Sequence, residues 1–128
     1  MEWGTDRCSV LRYHRLKKVN DEQGHEAGDR LIIRACECLA GVFKGYGLYR
    51  IGGDEFLVLC LGIEEKDLRE HVEKLRMDMK EHQVTMAVGM IWKERGPKDI
   101  DLLLNESERL MYEDKDRYYK EHGLKRRR

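Results

Sequence analysis

The sequence predicts an α+β domain whose elements run β-α-β-β-α-β-α. Three observations carry that reading. Two short apolar runs flank the tip Gly52-Gly53-Asp54-Glu55, as in a β-hairpin. Two highly charged stretches, one from Glu26 and one over residues 64–82, repeat apolar side chains at helical spacing. Other apolar runs, near residue 10 and near residue 88, break that period and read as strands.

Taken in order, residues 8–13 (Cys-Ser-Val-Leu-Arg-Tyr) form a first strand, and the mixed charges of 15–21 suggest a short helical turn. From Glu26, Leu31, Ile32, Ala35, Leu39 and Val42 mark one face of a helix that ends near Gly41. Residues 48–51 and 56–61 are the hairpin strands. Gly52 and Gly53 allow positive φ at the tip, and their lack of Cβ lets another group approach the backbone. Over 64–82, Leu68, Val72, Leu75 and Met79 share one face of an amphipathic helix. Residues 84–92 form the next strand. Asp99 caps a final helix with the apolar face Ile100, Leu103, Leu104, Leu110 and Met111. The strand-helix-hairpin-helix-strand core corresponds to a ferredoxin-like, palm-type antiparallel sheet with helices packed on one face.

A chain of 128 residues makes one domain, here 1–128, with a core of about 8–122 and a basic tail over 123–128. Apolar residues are 41% and charged residues 39%, which implies a solvated surface over a real core. The 25 basic and 25 acidic side chains cancel, so net charge gives no case for a nucleic-acid partner or an anionic membrane. Lys125-Arg126-Arg127-Arg128 reads as a solvated end. No apolar run approaches the roughly 20 residues of a membrane span, and residues 1–6 lack a secretory core. Cys8, Cys36, Cys38 and Cys60 have no CxxC spacing, which suits buried free thiols in a reducing cytoplasm.

Chemistry concentrates at the hairpin. Adjacent carboxylates repel, so a tip carrying both Asp54 and Glu55 suggests a cation or a proton-transfer task. Upstream lies Leu16-Lys17-Lys18-Val19-Asn20-Asp21-Glu22-Gln23-Gly24-His25-Glu26-Ala27-Gly28-Asp29. Tyr49-Arg50-Ile51 leads into Gly52-Gly53-Asp54-Glu55-Phe56, and Val84-Thr85-Met86-Ala87-Val88-Gly89 and Glu108-Arg109-Leu110-Met111-Tyr112-Glu113-Asp114-Lys115 follow. Taken singly, each has an ordinary reading: a turn at Asn20-Asp21, a solvated first-turn Asp29, an exposed Lys115. Together, in this order and spacing over about residues 8–119, they resemble the four motifs of GGDEF domains, the catalytic modules of diguanylate cyclases.

The resemblance implies a homodimeric encounter of two GTP-loaded domains that form cyclic di-GMP and pyrophosphate with magnesium or manganese. It places Asn20 and Asp29 on the guanine edge, and the backbone of Arg15 and Leu16, with Lys17, around phosphates. Lys115 would reach the terminal phosphates, Gly52 and Gly53 would lie against the nucleotide, and Asp54 and Glu55 would ligate metal or help deprotonate the attacking hydroxyl.

The sequence also departs from the family pattern. Counting back from Lys17, the two acidic positions that end the family's first strand fall on Arg12 and His14, and the first of these is a metal ligand there. Tyr119 stands where the family has a phosphate-binding arginine, with Arg117 and Lys120 nearby. The product-inhibition RxxD motif falls on Phe43 and Tyr46, and no D-x-L-T-x-L-x-N-R helix motif precedes residue 8. The expectation is a divergent GGDEF domain with weak or no catalysis and a retained nucleotide-binding or regulatory role. The alternatives are an active diguanylate cyclase or a palm-type cyclase acting on another nucleotide.

Overall fold

The computed structural model describes residues 6–16, 24–96 and 99–123, excluding the side chains of 24–29. Its elements are β1 (Cys8–Arg15), α1 (Gly24–Val42), β2 (Gly47–Arg50), β3 (Glu55–Leu61), α2 (Glu65–Glu81), β4 (Met86–Lys93) and α3 (Ile100–Glu121). The strands form one antiparallel sheet in the order β2-β3-β1-β4. This is the ferredoxin-like order that the hairpin and the two crossover helices require.

Alternation along β1 sets the layering. Successive strand side chains point to opposite faces. Leu11 and Tyr13 therefore join Phe56, Val58 and Cys60 under α1 and α2, whereas Cys8 and Val10 join Ile91 and Leu103 under α3. Helices thus cover both faces, and the expectation of one covered face holds only for α1 and α2. Residues of α2 meet the core through Leu68, Val72, Leu75 and Met79, as their spacing requires.

Several boundaries move for tertiary reasons. β1 runs on through His14 and Arg15, which pair with Glu55 and Met86 respectively. Having a partner strand on each side outweighs the weak β preference of charged residues. Arg15 is therefore strand, not helical turn, and residues 17–23 lie outside the description. Asp99 caps α3 by accepting from the Asp101 N–H at 2.9 Å, as its side chain predicts. The buried stripe of α3 is Leu103, Ser107, Met111, Lys115 and Tyr119, while Ile100, Leu104 and Leu110 are half-buried.

Gly89 explains why that stripe contains a serine. A Cβ on Gly89 would sit 1.9 Å from the Ser107 carbonyl oxygen and 2.5 Å from the Met111 nitrogen. Helix backbone therefore lies directly on the strand, a contact that only glycine beneath and a small side chain above permit. Ser107 satisfies its own hydroxyl by donating to the Leu104 carbonyl at 2.8 Å.

All four cysteines are free, with Cys8, Cys38 and Cys60 buried and Cys36 exposed. Burial pushes the Cys60 thiol up to about 12, so it stays a protonated apolar filler. Among the described residues, no helix is long and apolar enough to cross a membrane.

Gly89→Ala must displace backbone rather than a flexible side chain, and overpacking of that kind costs about 3 kcal/mol. Urea unfolding should report that loss, whereas Gly41→Ala, with nothing within 4 Å of the new Cβ, should leave stability unchanged or slightly raised.

Candidate active site at the hairpin and first strand

The β2–β3 hairpin closes through the Ile51 N–H, which donates to the Glu55 carbonyl at 3.0 Å. Arg50 braces the tip by donating from Nη2 to the Gly53 carbonyl at 2.7 Å. Among the described residues, positive φ angles occur at Gly45, Gly62, Gln83 and Gly123, not at Gly52 or Gly53, so the expected left-handed tip is absent. The tip glycines are also not crowded: a Cβ on Gly53 would meet nothing within 4 Å. What they provide is bare backbone open to an approaching group.

Both tip carboxylates are engaged by arginines of β1. The Arg15 Nε donates to Asp54 Oδ1 at 3.0 Å, and the Arg15 backbone N–H donates to the Asp54 carbonyl at 2.8 Å. The Arg15 side chain is only 5% exposed and that of Asp54 20%, so this pair is largely desolvated. Arg12 lies 3.8 Å from Glu55 Oε2 through Nε, and its Nη1 lies 2.8 Å from Glu108 Oε2 on α3. At 3.8 Å the first contact is Coulombic only, since among the described residues the buried Arg12 Nε has no hydrogen-bond acceptor. Arg12 thus links hairpin, central strand and last helix.

These contacts test the ion that the resemblance implies. Two unit charges about 4 Å apart interact by roughly 4 kcal/mol at an effective dielectric near 20, so a dication there would be repelled by a guanidinium by about 8 kcal/mol. Among the described residues no group of three His, Cys, Asp or Glu side chains could hold a metal ion. As arranged, Asp54 and Glu55 face guanidinium groups rather than an open centre, which opposes a dication between them.

Other predicted site residues are dispersed. The Arg15 and Leu16 amides donate to the carbonyls of Asp54 and Thr85, both at 2.8 Å, and so are not presented as an anion cradle. Lys115 is buried on the sheet-facing stripe of α3, and Tyr119, also buried, packs with Leu16, Ala87 and Met111. Lys17 and Asn20 lie outside the described residues, and Asp29 is in α1 with its side chain outside the description. Phe43, at one end of the expected product-inhibition motif, is a fully buried core side chain in tilted ring contact with His71. Two pairings had no signature in the sequence: Glu108, there only part of its helix motif, with Arg12 from β1, and the Arg15 side chain, read only for its backbone, with Asp54. His14 opposite Glu55 and Arg12 opposite Leu57 become readable only once the β1–β3 register is known.

The family model described as "Diguanylate cyclase, GGDEF domain" matches residues 8–120. The chain belongs to the GGDEF family. It is 28% identical over 110 residues to the Escherichia coli diguanylate cyclase DgcP, a match covering 78% of this chain and 32% of DgcP. The chain spans about a third or less of the length of curated relatives it matches. The active GGEEF domain of a diguanylate cyclase from Vibrio cholerae superposes with a TM-score of 0.76 at 20% identity, covering 88% of this chain and 78% of that one. The GGDEF domain of DgcB from Caulobacter crescentus, solved with c-di-GMP, gives 0.75 at 16% identity, covering 87% and 71%. Those likenesses establish the shared GGDEF fold.

Breaking the Arg15–Asp54 pair leaves a mostly buried carboxylate without its guanidinium, so Arg15→Met should lower unfolding free energy by about 3 kcal/mol. Arg109→Met breaks an exposed (i, i+4) pair with Glu113 and should cost under about 0.5 kcal/mol. Urea titrations of the two variants check the contrast, and equal losses would remove the special status of Arg15.

Proposed function

We propose that this GGDEF domain has weak or no diguanylate cyclase activity and acts through binding of a guanine nucleotide, GTP or cyclic di-GMP, as a regulatory module. One observation carries the reading: Asp54 and Glu55, the hairpin acids of the family signature, are held by Arg15 and Arg12. Carboxylates held in this way are poor ligands for a dication, because each already faces a guanidinium that the ion would have to displace or approach against its charge.

Nucleotide recognition rests on different residues. Asn20 and Asp29 match the family's guanine-binding positions, and an amide with a carboxylate suits the donor and acceptor pattern of that base edge. The bare backbone at Gly52 and Gly53 leaves room for a ligand beside the tip. Arg12 and Arg15 meet the hairpin from β1, and guanidinium forks suit phosphate oxygens. Phosphate would have to compete with Glu55, Glu108 and Asp54 for them, which disfavours tight triphosphate binding. In its family the domain works opposite a second copy, and the same encounter is proposed here in a regulatory form.

Incubation with GTP and magnesium or manganese, followed by chromatography, tests the reading. No cyclic di-GMP above the background of an Asp54→Asn/Glu55→Gln control is expected, and robust turnover by the unmodified chain would establish an active cyclase instead. A parallel GTP titration should show binding whose affinity is unchanged by EDTA. Arg12→Asp, which turns a repulsive position into a carboxylate, should make binding metal-dependent.

A further inference from the structure

Away from the hairpin, α3 laps over the free edge of β4. The Val88 N–H, which points outward from the sheet, donates to Asp114 Oδ2 at 2.8 Å. Between this edge, α2 and the C-terminal half of α3 lies a cavity of about 280 Å³. Its apolar walls are Val72, Leu75 and Met79 of α2 with Met86 and Val88 of β4. Tyr13 also lines it, 3% exposed, and among the described residues its buried hydroxyl has no hydrogen-bond partner. A buried hydroxyl without a partner is costly, and native proteins rarely keep one without a reason.

The rim supplies charge. Arg76 reaches the cavity and its charge acts on the Tyr13 phenol, and among the described residues it makes no ion pair. Arg117 is paired with Asp114 at 3.1 Å, and Asp114 also holds Val88, so those two groups are satisfied. Glu121 stands at the rim, and Tyr118 adds an aromatic wall. Burial raises the Tyr13 phenol above its ordinary value, so it remains a proton donor. An incoming group must therefore be an acceptor, and Arg76 favours an anionic one.

The geometry points to a second ligand site in this domain, separate from the hairpin, that takes a small apolar monocarboxylate. Its carboxylate accepts from the Tyr13 hydroxyl and pairs with Arg76, and its hydrocarbon or aromatic body fills the space among Val72, Leu75, Met79 and Met86. The volume lies near the lower end of the roughly 300–1,000 Å³ usual for small-molecule pockets, which suits a small ligand. An added β-strand fits less well, because the Val88 N–H that such a strand would need is already taken by Asp114.

Two-dimensional NMR titration of the full chain with 3-phenylpropanoate and with octanoate tests the site, and 3-phenylpropanol is the neutral comparison. Saturable shifts at the amides of Val72, Met86 and Val88 are expected, with the alcohol binding at least tenfold more weakly. Tyr13→Phe removes only the unpartnered hydroxyl, so it should melt no lower than the unmodified chain and bind the acids about tenfold more weakly. Arg76→Ala should weaken the acids but not the alcohol. Absence of saturable shifts at millimolar acid would overturn the proposal. So would unchanged affinity in Tyr13→Phe, or a melting temperature lowered by several degrees in that variant, which would reveal an internal partner for the hydroxyl. Shifts of the same amides on dilution, without acid, would assign the cavity to a second copy and equally overturn it.

Discussion

The guanidinium–carboxylate contacts between β1 and the hairpin are the constraint on which the rest of the site depends. Arg15 holds Asp54 through both side chain and backbone, and Arg12 stands between Glu55 and Glu108. Together they fix the tip to the end of the central strand and tie both to the last helix. The cluster of Arg12, Arg15, Asp54, Glu55 and Glu108 carries a formal charge of about −1 when all five ionise. A pocket built to hold a dication has the opposite organisation, with acids facing a vacant centre.

Fold and family were largely legible in the chain. Periodicity located all three helices and four strands, and Leu68, Val72, Leu75 and Met79 of α2 occupy the face their spacing required. The edges of elements were less legible because pairing partners decide them. His14 and Arg15 become strand only because β3 and β4 flank them. The buried face of α3 was read in part, for the same kind of reason. Of Ile100, Leu103, Leu104, Leu110 and Met111, the spacing placed Leu103 and Met111 correctly, but close approach at Gly89 brings Ser107 and Lys115 inward and leaves Ile100, Leu104 and Leu110 half-buried. A glycine's effect on a helix distant in sequence leaves no periodic trace.

The candidate site was legible as a set of residues but not as an arrangement. Counting from Lys17 placed an arginine where the family has an acid, which already argued against a metal. Which carboxylate that arginine would meet depended on register. Arg12 meets Glu55 and Glu108, whereas Asp54 goes to Arg15, a residue that sequence comparison had valued for its amide alone. Long-range ion pairs of this kind have no local spacing rule, unlike the (i, i+4) pairs of a helix. The Tyr13 cavity is similar: nothing along the chain marks a hydroxyl that ends up buried without a partner.

Loss of catalysis at this hairpin depends on whether Asp54 and Glu55 are available to a dication. A titration of the chain with Mn²⁺, following the free-ion signal by electron paramagnetic resonance, measures that directly. It should show no binding that distinguishes the unmodified chain from Asp54→Asn/Glu55→Gln. One equivalent of tightly held Mn²⁺ that disappears in that double variant would contradict the account, because the hairpin carboxylates would then prefer the metal to Arg12 and Arg15.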